Sequence, residues 1–253
     1  MDGGRGEDMD QRSRDGVAAM ARCYQDFDPK AYLQYNYTPP RADFTRSDSI
    51  VPWKLGCLHR AFTEGDVGGE TLVDVGSGPT LYQVLSGCEL FGRVVLTDFL
   101  EVNRRELRRW LRDEEGSFDW TPYLKHVCKL EGRGPAAWRE KAARLRSVVT
   151  EILPIDSVSP DLASFRRALG HLSALLKPGG HLLLIGALGE SYYMAGPGVR
   201  IPVVPLDEAQ VCSGLRDNGY ALAHLSAYTL PPDMRVGVDD VSGIFFAKAK
   251  KMV

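Results

Sequence analysis

The chain has 253 residues, a formal net charge of −2 and a charged-residue fraction of 25%. This near-neutral balance, without a long run of like charges, argues against a nucleic-acid partner and favours a small molecule. No apolar run approaches the ~20 residues that span a bilayer, and the N-terminus lacks the apolar stretch of an export signal. Neither membrane insertion nor export is therefore expected.

The cysteines and histidines show no pattern of a disulfide framework or a metal site. The five cysteines are odd in number and far apart, with no C-x-x-C pair, and the five histidines lack metal-ligand spacing. We therefore expect reduced thiols, no metal and a cytoplasmic location. The cysteines are Cys23, Cys57, Cys88, Cys128 and Cys212.

The N-terminal part divides into a tail and a helical segment. Residues 1–15 are polar and glycine-rich and are predicted to be disordered, and 16–253 are predicted to form one domain. Helical spacing of apolar residues predicts a short helix over Gly16–Phe27 and another over Trp53–Phe62. With the tyrosine-rich stretch between them, these helices make up a predicted N-terminal lid, residues 16–62.

From residue 71 onward, short apolar runs alternate with helical patterns. Strands are predicted at Thr71–Val75, Arg93–Phe99, Ser147–Ile155, His181–Ala187, Ala221–Leu230 and Gly243–Lys248. Helices are predicted at Pro79–Leu85, Glu101–Arg112, Pro135–Leu145, Pro160–Leu176 and Leu206–Asn218.

This alternation predicts an α/β fold with a parallel sheet covered by helices on both faces. The last two strands are expected to be antiparallel neighbours. Ser159 is the predicted N-cap of the helix that begins at Pro160. Ligands in such folds bind at the carboxyl ends of the strands.

A glycine-containing loop follows the first predicted strand. Gly76 and Gly78 permit a tight turn and a close approach of a ligand to the backbone, but no third glycine follows for a pyrophosphate. Asp98 ends the second strand, 20 residues after Gly78, where a carboxylate can accept hydrogen bonds from ribose hydroxyls. The combination favours S-adenosylmethionine over NAD. The residues alone also allow a plain strand–helix turn, with Asp98 as a strand-end cap.

Several motifs resemble the family of nicotinamide, phenylethanolamine and indolethylamine N-methyltransferases. They are DVGSGPT, LTDFLEVNRRELRRWL, VSPDLASFRRAL, LKPGGHLLLIGAL, ESYYMAG and GVDDVSGIFFA. The last three are most similar to the phenylethanolamine branch. The resemblance implies a Rossmann-like methyltransferase fold and methyl transfer from S-adenosylmethionine to noradrenaline-like amines.

The resemblance also implies roles for individual residues. Glu190 and Asp239 would be catalytic, attracting the substrate ammonium and accepting its proton. Substrate contact is implied for Tyr32, Lys54 and Tyr193. Cofactor contact is implied for Tyr24, Tyr37, Gly76, Ser77, Tyr82, Asp98, Asn103 and Asp156.

Without the resemblance, most of these residues have ordinary structural interpretations. Asp239 lies in a glycine- and aspartate-rich stretch typical of a turn. Glu190 follows a strand end and could be a solvated surface acid. Lys54 could be a surface lysine, and Tyr193 could lie in the core or at a rim.

The chain departs from the family between the third strand and the next helix, where the family pattern has a further central strand. Only three residues separate Asp156 from Pro160, too few for a strand of ~5 residues and its connections. A variant gene product or an omitted segment would explain the gap. A third explanation is that the third strand slides into the central position.

Three functions follow from these patterns. The leading one is an amine N-methyltransferase acting as a monomer on a small-molecule amine. The second is an impaired variant that lacks the central strand and binds no cofactor. The third, an NAD-dependent oxidoreductase, is disfavoured because the loop lacks a third glycine and the sequence shows no hydride-transfer acid or base.

Overall fold

The computed structural model describes residues 15–16, 18–155 and 159–252. The predicted disordered tail lies outside these ranges except for residue 15, and Asp156 lies outside them too. Among the described residues, no helix combines the length and apolar character needed to cross a membrane.

Residues 18–23 are helical and precede the elements named below. The helices are α1 (Pro29–Asn36), α2 (Ile50–Thr63), α3 (Glu101–Leu111), α4 (Thr121–Leu130), α5 (Trp138–Val148), α6 (Leu162–Leu175) and α7 (Glu208–Asp217). The strands are β1 (Thr71–Val75), β2 (Arg93–Asp98), β3 (Val149–Pro154), β4 (His181–Leu188), β5 (Tyr192–Gly196), β6 (Val199–Pro202), β7 (Tyr220–Thr229) and β8 (Gly243–Lys251).

The strands form two three-stranded sheets and a hairpin. The first sheet has the order β1-β2-β3 and is parallel, and the second has the order β4-β8-β7 and is antiparallel. Strands β5 and β6 pair as a separate antiparallel hairpin. The predicted α/β architecture and the antiparallel pairing of the last two strands are confirmed.

Strands β1 and β4 each have one edge without a strand partner among the described residues. Strand β3 remains on the outer side of β2, pairing over Val149–Pro154. The explanation in which the third strand slides into the central position is therefore wrong. A five-residue β1 paired on one side only is consistent with the missing central strand.

Helices cover both faces of the second sheet, and the first sheet shares one of these covered faces. On one face, α2, α4 and α5 pack with β2 and β8 in a large buried cluster that includes Leu55, Leu96 and Phe246. On the other, α6 and α7 pack against β4 and β8 around Leu169 and Phe245. The adjacent Phe245 and Phe246 point to opposite faces because side chains alternate along a strand.

Two predicted details are wrong. The helix predicted at Pro79–Leu85 is only a 3₁₀ turn at Tyr82–Val84, because the glycine loop continues to Thr80, whose hydroxyl donates to the Ser77 carbonyl at 2.7 Å. The N-cap of α6 is Asp161 rather than Ser159. The Asp161 carboxylate accepts the Ser164 N–H at 2.7 Å, which satisfies a backbone donor of the first turn.

Candidate functional site

The glycine loop lies at the carboxyl end of β1 and is held against the end of β2. Gly76 and Gly78 have φ of 72° and 60°, in the left-handed region that favours glycine. The Ser77 N–H donates to the Thr97 carbonyl at 2.7 Å, and the Gly78 N–H donates to the Asp98 carboxylate at 2.8 Å. The loop and Asp98, predicted as a pair, are therefore in direct contact.

Asp98 organises the backbone around this loop. Its side chain also accepts the Leu100 N–H at 2.8 Å and the Asn103 side-chain amide at 3.0 Å. Asp98 and Asn103 are 7% and 3% exposed, so this network is nearly closed to solvent. Each carboxylate oxygen can accept more than one hydrogen bond, so capacity for a ligand hydroxyl remains.

Two buried acceptors beside the loop lack partners among the described residues, namely Oδ2 of Asp74 and Oδ1 of Asn103. Burial raises the pKa of Asp74 to about 6, and the nearby Asp98 carboxylate adds to the effect, although a hydrogen bond with Ser77 opposes it. Buried polar atoms normally have partners. These residues fit a ligand with hydroxyl and ammonium donors, as S-adenosylmethionine has, and the glycine turn lets that ligand approach the backbone.

Tyrosine rings from four parts of the chain meet beside this loop. The Tyr32 ring lies 5.9 Å from that of Tyr37 and 5.7 Å from that of Tyr193, and the Tyr37 and Tyr82 rings are 5.5 Å apart. The hydroxyl of Tyr193 donates to that of Tyr24 at 3.5 Å. Burial raises the pKa of Tyr32, Tyr37 and Tyr193 well above the usual value, so these hydroxyls stay neutral.

A cavity of about 240 Å³ lies among these rings. Its charged lining residues are Arg41, Lys54, Glu190 and Asp239. Predicted residues therefore come together from the N-terminal segment, the glycine-loop region, the β4–β5 connection and the loop before β8. The predicted residues that line it are Tyr32, Tyr37, Lys54, Tyr82, Glu190, Tyr193 and Asp239. No group of residues that could hold a metal ion occurs in the described parts of the chain.

Glu190 and Lys54 have strongly shifted acidities. Burial, followed by the Asp239 carboxylate, raises the pKa of Glu190 to about 7, although Lys54 and Arg41 oppose the shift. Burial, followed by the Arg41 guanidinium, lowers the pKa of Lys54 to about 8. Lys54 Nζ also lies 5.9 Å and 5.5 Å from the ring centres of Tyr37 and Tyr82. Both residues are half-buried and line the cavity, so neither is a fully solvated surface residue.

Asp239 is not a solvated turn residue. Its carboxylate forms a two-point ion pair with Arg41, and both side chains are only 4% exposed. The neighbouring Asp240 accepts hydrogen bonds from the Ser191 and Tyr192 backbone N–H groups and so fixes the start of β5. Arg41 was not among the residues predicted from the sequence. It follows two prolines and lies 198 positions from its partner, so no local pattern could have found it.

The fold and the site define a methyltransferase of the Rossmann-like, S-adenosylmethionine-dependent class. A crystal structure of magnesium protoporphyrin IX methyltransferase from Synechocystis with bound SAM matches with a TM-score of 0.52. The match covers 93% of this chain and 97% of that one at 12% identity, which shows the fold alone. The chain belongs to the NNMT/PNMT/TEMT family, whose model matches residues 15–161 and 148–252.

Individual relatives agree with this family. The chain is 48% identical to phenylethanolamine N-methyltransferase from Homo sapiens over 267 aligned positions, which cover 95% of this chain and 94% of that protein. It is 49% identical to the Sus scrofa protein of the same name, over 94% of this chain and 93% of that protein. Indolethylamine N-methyltransferase from Mus musculus is 36% identical, over 81% and 89% respectively. The resemblance found in the sequence is confirmed.

Proposed function

We propose that this protein transfers the methyl group of S-adenosylmethionine to the amine of phenylethanolamines such as noradrenaline. The observation that carries the proposal is the tyrosine-lined cavity with the buried carboxylate of Asp239 and the half-buried carboxylate of Glu190, beside a glycine loop that fits the cofactor. The relatives of nearly half identity, named for this reaction, support the choice of amine. A volume of about 240 Å³ suits one aromatic ring with a short side chain.

The cofactor would lie on the glycine loop, with Asp98 accepting from its ribose hydroxyls and Asp74 close to its amino-acid end. When bound, it supplies an electrophilic methyl group on a sulfonium. Tyr24, Tyr37 and Tyr82 would close over it and keep water out. Exclusion of water matters here because alignment of the amine with the methyl group in a dry pocket is the main source of rate.

The amine must lose a proton before it can attack. An alkylamine resembles lysine, whose pKa is ~10.4, and is mostly protonated at neutral pH. The carboxylates of Glu190 and Asp239 would attract this ammonium. Glu190 is the better proton acceptor, because its pKa of about 7 lies near neutral pH whereas both oxygens of Asp239 already accept from Arg41.

Two further features complete the proposal. All five cysteines are free thiols, three of them buried, which supports a reducing compartment such as the cytoplasm. The monomeric state stays a prediction. No finding specifically supports the impaired alternative, and the titration below tests it.

The experiment has two stages. S-adenosylhomocysteine is first titrated into the purified protein, and noradrenaline, tryptamine and nicotinamide are then each incubated with S-adenosylmethionine and the products identified by mass spectrometry. We expect S-adenosylhomocysteine to bind and N-methylated noradrenaline to form fastest. Absence of binding would favour the impaired alternative. Binding with methylation of another amine alone would overturn the substrate assignment.

A further inference from the structure

Helix α4 lies behind the tyrosine cluster and is firmly seated in the core. Its residues Tyr123, Leu124 and Val127 are at most 2% exposed and belong to the larger buried cluster. The helix contacts both α2 and α5. Tyr123 does not line the cavity, so any part that it has in the reaction must be exerted through another residue.

The hydroxyl of Tyr123 donates to the backbone carbonyl of Tyr37 at 2.7 Å, and this hydrogen bond is buried. Tyr37 is the C-cap of α1, and its own N–H donates to the Leu33 carbonyl at 2.8 Å. The carbonyl groups at the end of a helix have no partner within the helix. A side chain 86 positions away therefore satisfies the carbonyl with which α1 ends.

The direction of the Tyr123 hydroxyl is fixed by the packing of its ring. The ring lies edge-on to those of Trp120 and Phe44, with centres 4.7 Å and 4.9 Å away. Aromatic rings favour this arrangement. Trp120, the N-cap of α4, also lies 6.1 Å from the Tyr37 ring centre. Tyr37 is therefore held both at its carbonyl and at its ring.

Tyr37 forms part of the cavity wall together with Tyr82 and Lys54. Its ring centre lies 5.5 Å from that of Tyr82 and 5.9 Å from Lys54 Nζ. A displacement of the end of α1 would therefore change the wall over which the proposed function places the cofactor.

We propose that Tyr123 is a positioning residue for cofactor binding, because its hydroxyl holds Tyr37 in the closed arrangement of the site. The inference rests on the proposed function, in which Tyr37 closes over S-adenosylmethionine. Without the hydroxyl, the Tyr37 carbonyl is buried unpaired in the closed arrangement, which favours arrangements in which the end of α1 meets water. Only the closed fraction binds the cofactor well, so the apparent affinity falls with that fraction.

Tyr123→Phe tests the hydrogen bond, since it removes the hydroxyl and keeps the ring. We expect the dissociation constant for S-adenosylhomocysteine, measured by calorimetric titration, to rise about fivefold. In the ligand-free protein, the Tyr37 amide should exchange its hydrogen about fivefold faster. The KM for S-adenosylmethionine should rise by a similar factor while kcat changes less than about twofold, because Tyr123 lies outside the cavity.

Tyr220→Phe is the matched control. Tyr220 is 3% exposed, and its hydroxyl donates to the Leu169 carbonyl at 3.3 Å in the other buried cluster. This variant also loses a buried bond from a tyrosine to a carbonyl, so both variants should melt at a lower temperature. Only Tyr123→Phe should change the affinity for S-adenosylhomocysteine and the exchange at Tyr37.

The outcomes separate this inference from the proposed function. Unchanged affinity in Tyr123→Phe, or an equal loss of affinity in Tyr220→Phe, overturns the role of Tyr123 and leaves the proposed function intact. An unaltered protein that does not bind S-adenosylhomocysteine overturns both. Methylation of an amine other than noradrenaline alone contradicts the proposed substrate but does not affect the cofactor measurement.

Discussion

Arg41 and Asp239 form a buried two-point ion pair in the wall of the cavity, with N–O distances of 2.6 Å and 2.9 Å. The same guanidinium donates to the Met234 carbonyl at 3.2 Å and to the Asn36 side chain at 2.8 Å. One side chain thus joins the N-terminal segment to the loop before β8. The pair fixes the orientation of the Asp239 carboxylate, and under the proposed function it thereby sets the direction in which that carboxylate would face a substrate ammonium.

Breaking this pair should affect both stability and substrate binding. Arg41→Ala leaves the Asp239 charge buried and unpaired, so we expect the free energy of unfolding to fall by about 3 kcal/mol. Arg41→Lys keeps the charge but loses the planar fork, and should raise the KM for the amine about tenfold with a smaller loss of stability. Urea denaturation and amine saturation kinetics measure the two effects.

The control for this prediction is an arginine in an exposed ion pair. Arg46 pairs with Asp48 and Asp233, whose side chains are more than half exposed. Arg46→Ala should cost less than about 1 kcal/mol and leave KM unchanged. Equal effects at both arginines would show that the buried pair has no special role.

Glu190 should set the acidic limb of the pH–rate profile. Its pKa is raised to about 7, by burial first and by Asp239 second, while Lys54 and Arg41 oppose the shift and Asp240 adds to it. The ionised form accepts the proton, so kcat/KM should rise with pH through about 7. Glu190→Gln should lower kcat at least ~100-fold and remove that limb. A profile that keeps the limb in the variant would assign it to another group.

The same shift predicts a dependence of stability on pH. A carboxyl group whose folded pKa is raised contributes stability below its unfolded value of 4.5, and that stability is lost as pH rises through about 7. Glu190→Gln should therefore be more stable than the unaltered protein at pH 8, by on the order of 2 kcal/mol. At pH 4 the variant should show no such gain. Thermal melts across this range measure the difference. Glu115→Gln, at an exposed position, is the control variant.

Much of the fold followed from periodicity. Strand β1 has its predicted bounds, and β2 ends one residue earlier than predicted. Helices α1 and α4 and the β5–β6 hairpin were not anticipated. Helix α4 has a proline in its first turn, although its buried residues do recur at helical spacing, and the two hairpin strands have only five and four residues. Tertiary packing rather than local pattern decides such segments.

The site was predictable to different degrees. The contact between Gly78 and Asp98 follows from strand topology, since both lie at carboxyl ends of adjacent parallel strands. Glu190 and Lys54 depended on the resemblance, because their perturbed acidity comes from burial that no short sequence pattern encodes. The Arg41–Asp239 pair depends on folding that brings together distant segments.

The cofactor side of the site can be tested at Asp98. Asp98→Asn keeps the size of the side chain but removes its charge. It also replaces one of the two carboxylate oxygens that accept the backbone N–H groups of Gly78 and Leu100. We expect the dissociation constant for S-adenosylhomocysteine to rise at least ~10-fold, because a hydrogen bond to a charged group contributes about 1.5–3 kcal/mol. Calorimetric titration measures it. Asp161→Asn, at the N-cap of α6, is the control, because asparagine caps helices well and affinity should not change.

Lys54 offers a test in which stability and activity move in opposite directions. Burial, and then Arg41, lowers its folded pKa to about 8 from 10.5. A lysine with a depressed pKa contributes stability above its unfolded pKa, and that stability is lost as pH falls through the folded value. Lys54→Met should therefore be more stable than the unaltered protein at pH 7, by on the order of 2 kcal/mol, and the gain should vanish above about pH 10.5.

The Lys54→Met variant also loses a positive charge that holds down the pKa of Glu190, so its kcat/KM should rise with pH at a higher midpoint than in the unaltered protein. Thermal melts measure the stability and pH–rate profiles measure the activity, each with the exposed Lys125→Met variant as the control. A Lys54→Met variant that is less stable than the unaltered protein at pH 7 would contradict the assignment of Lys54 as a buried, charged lysine.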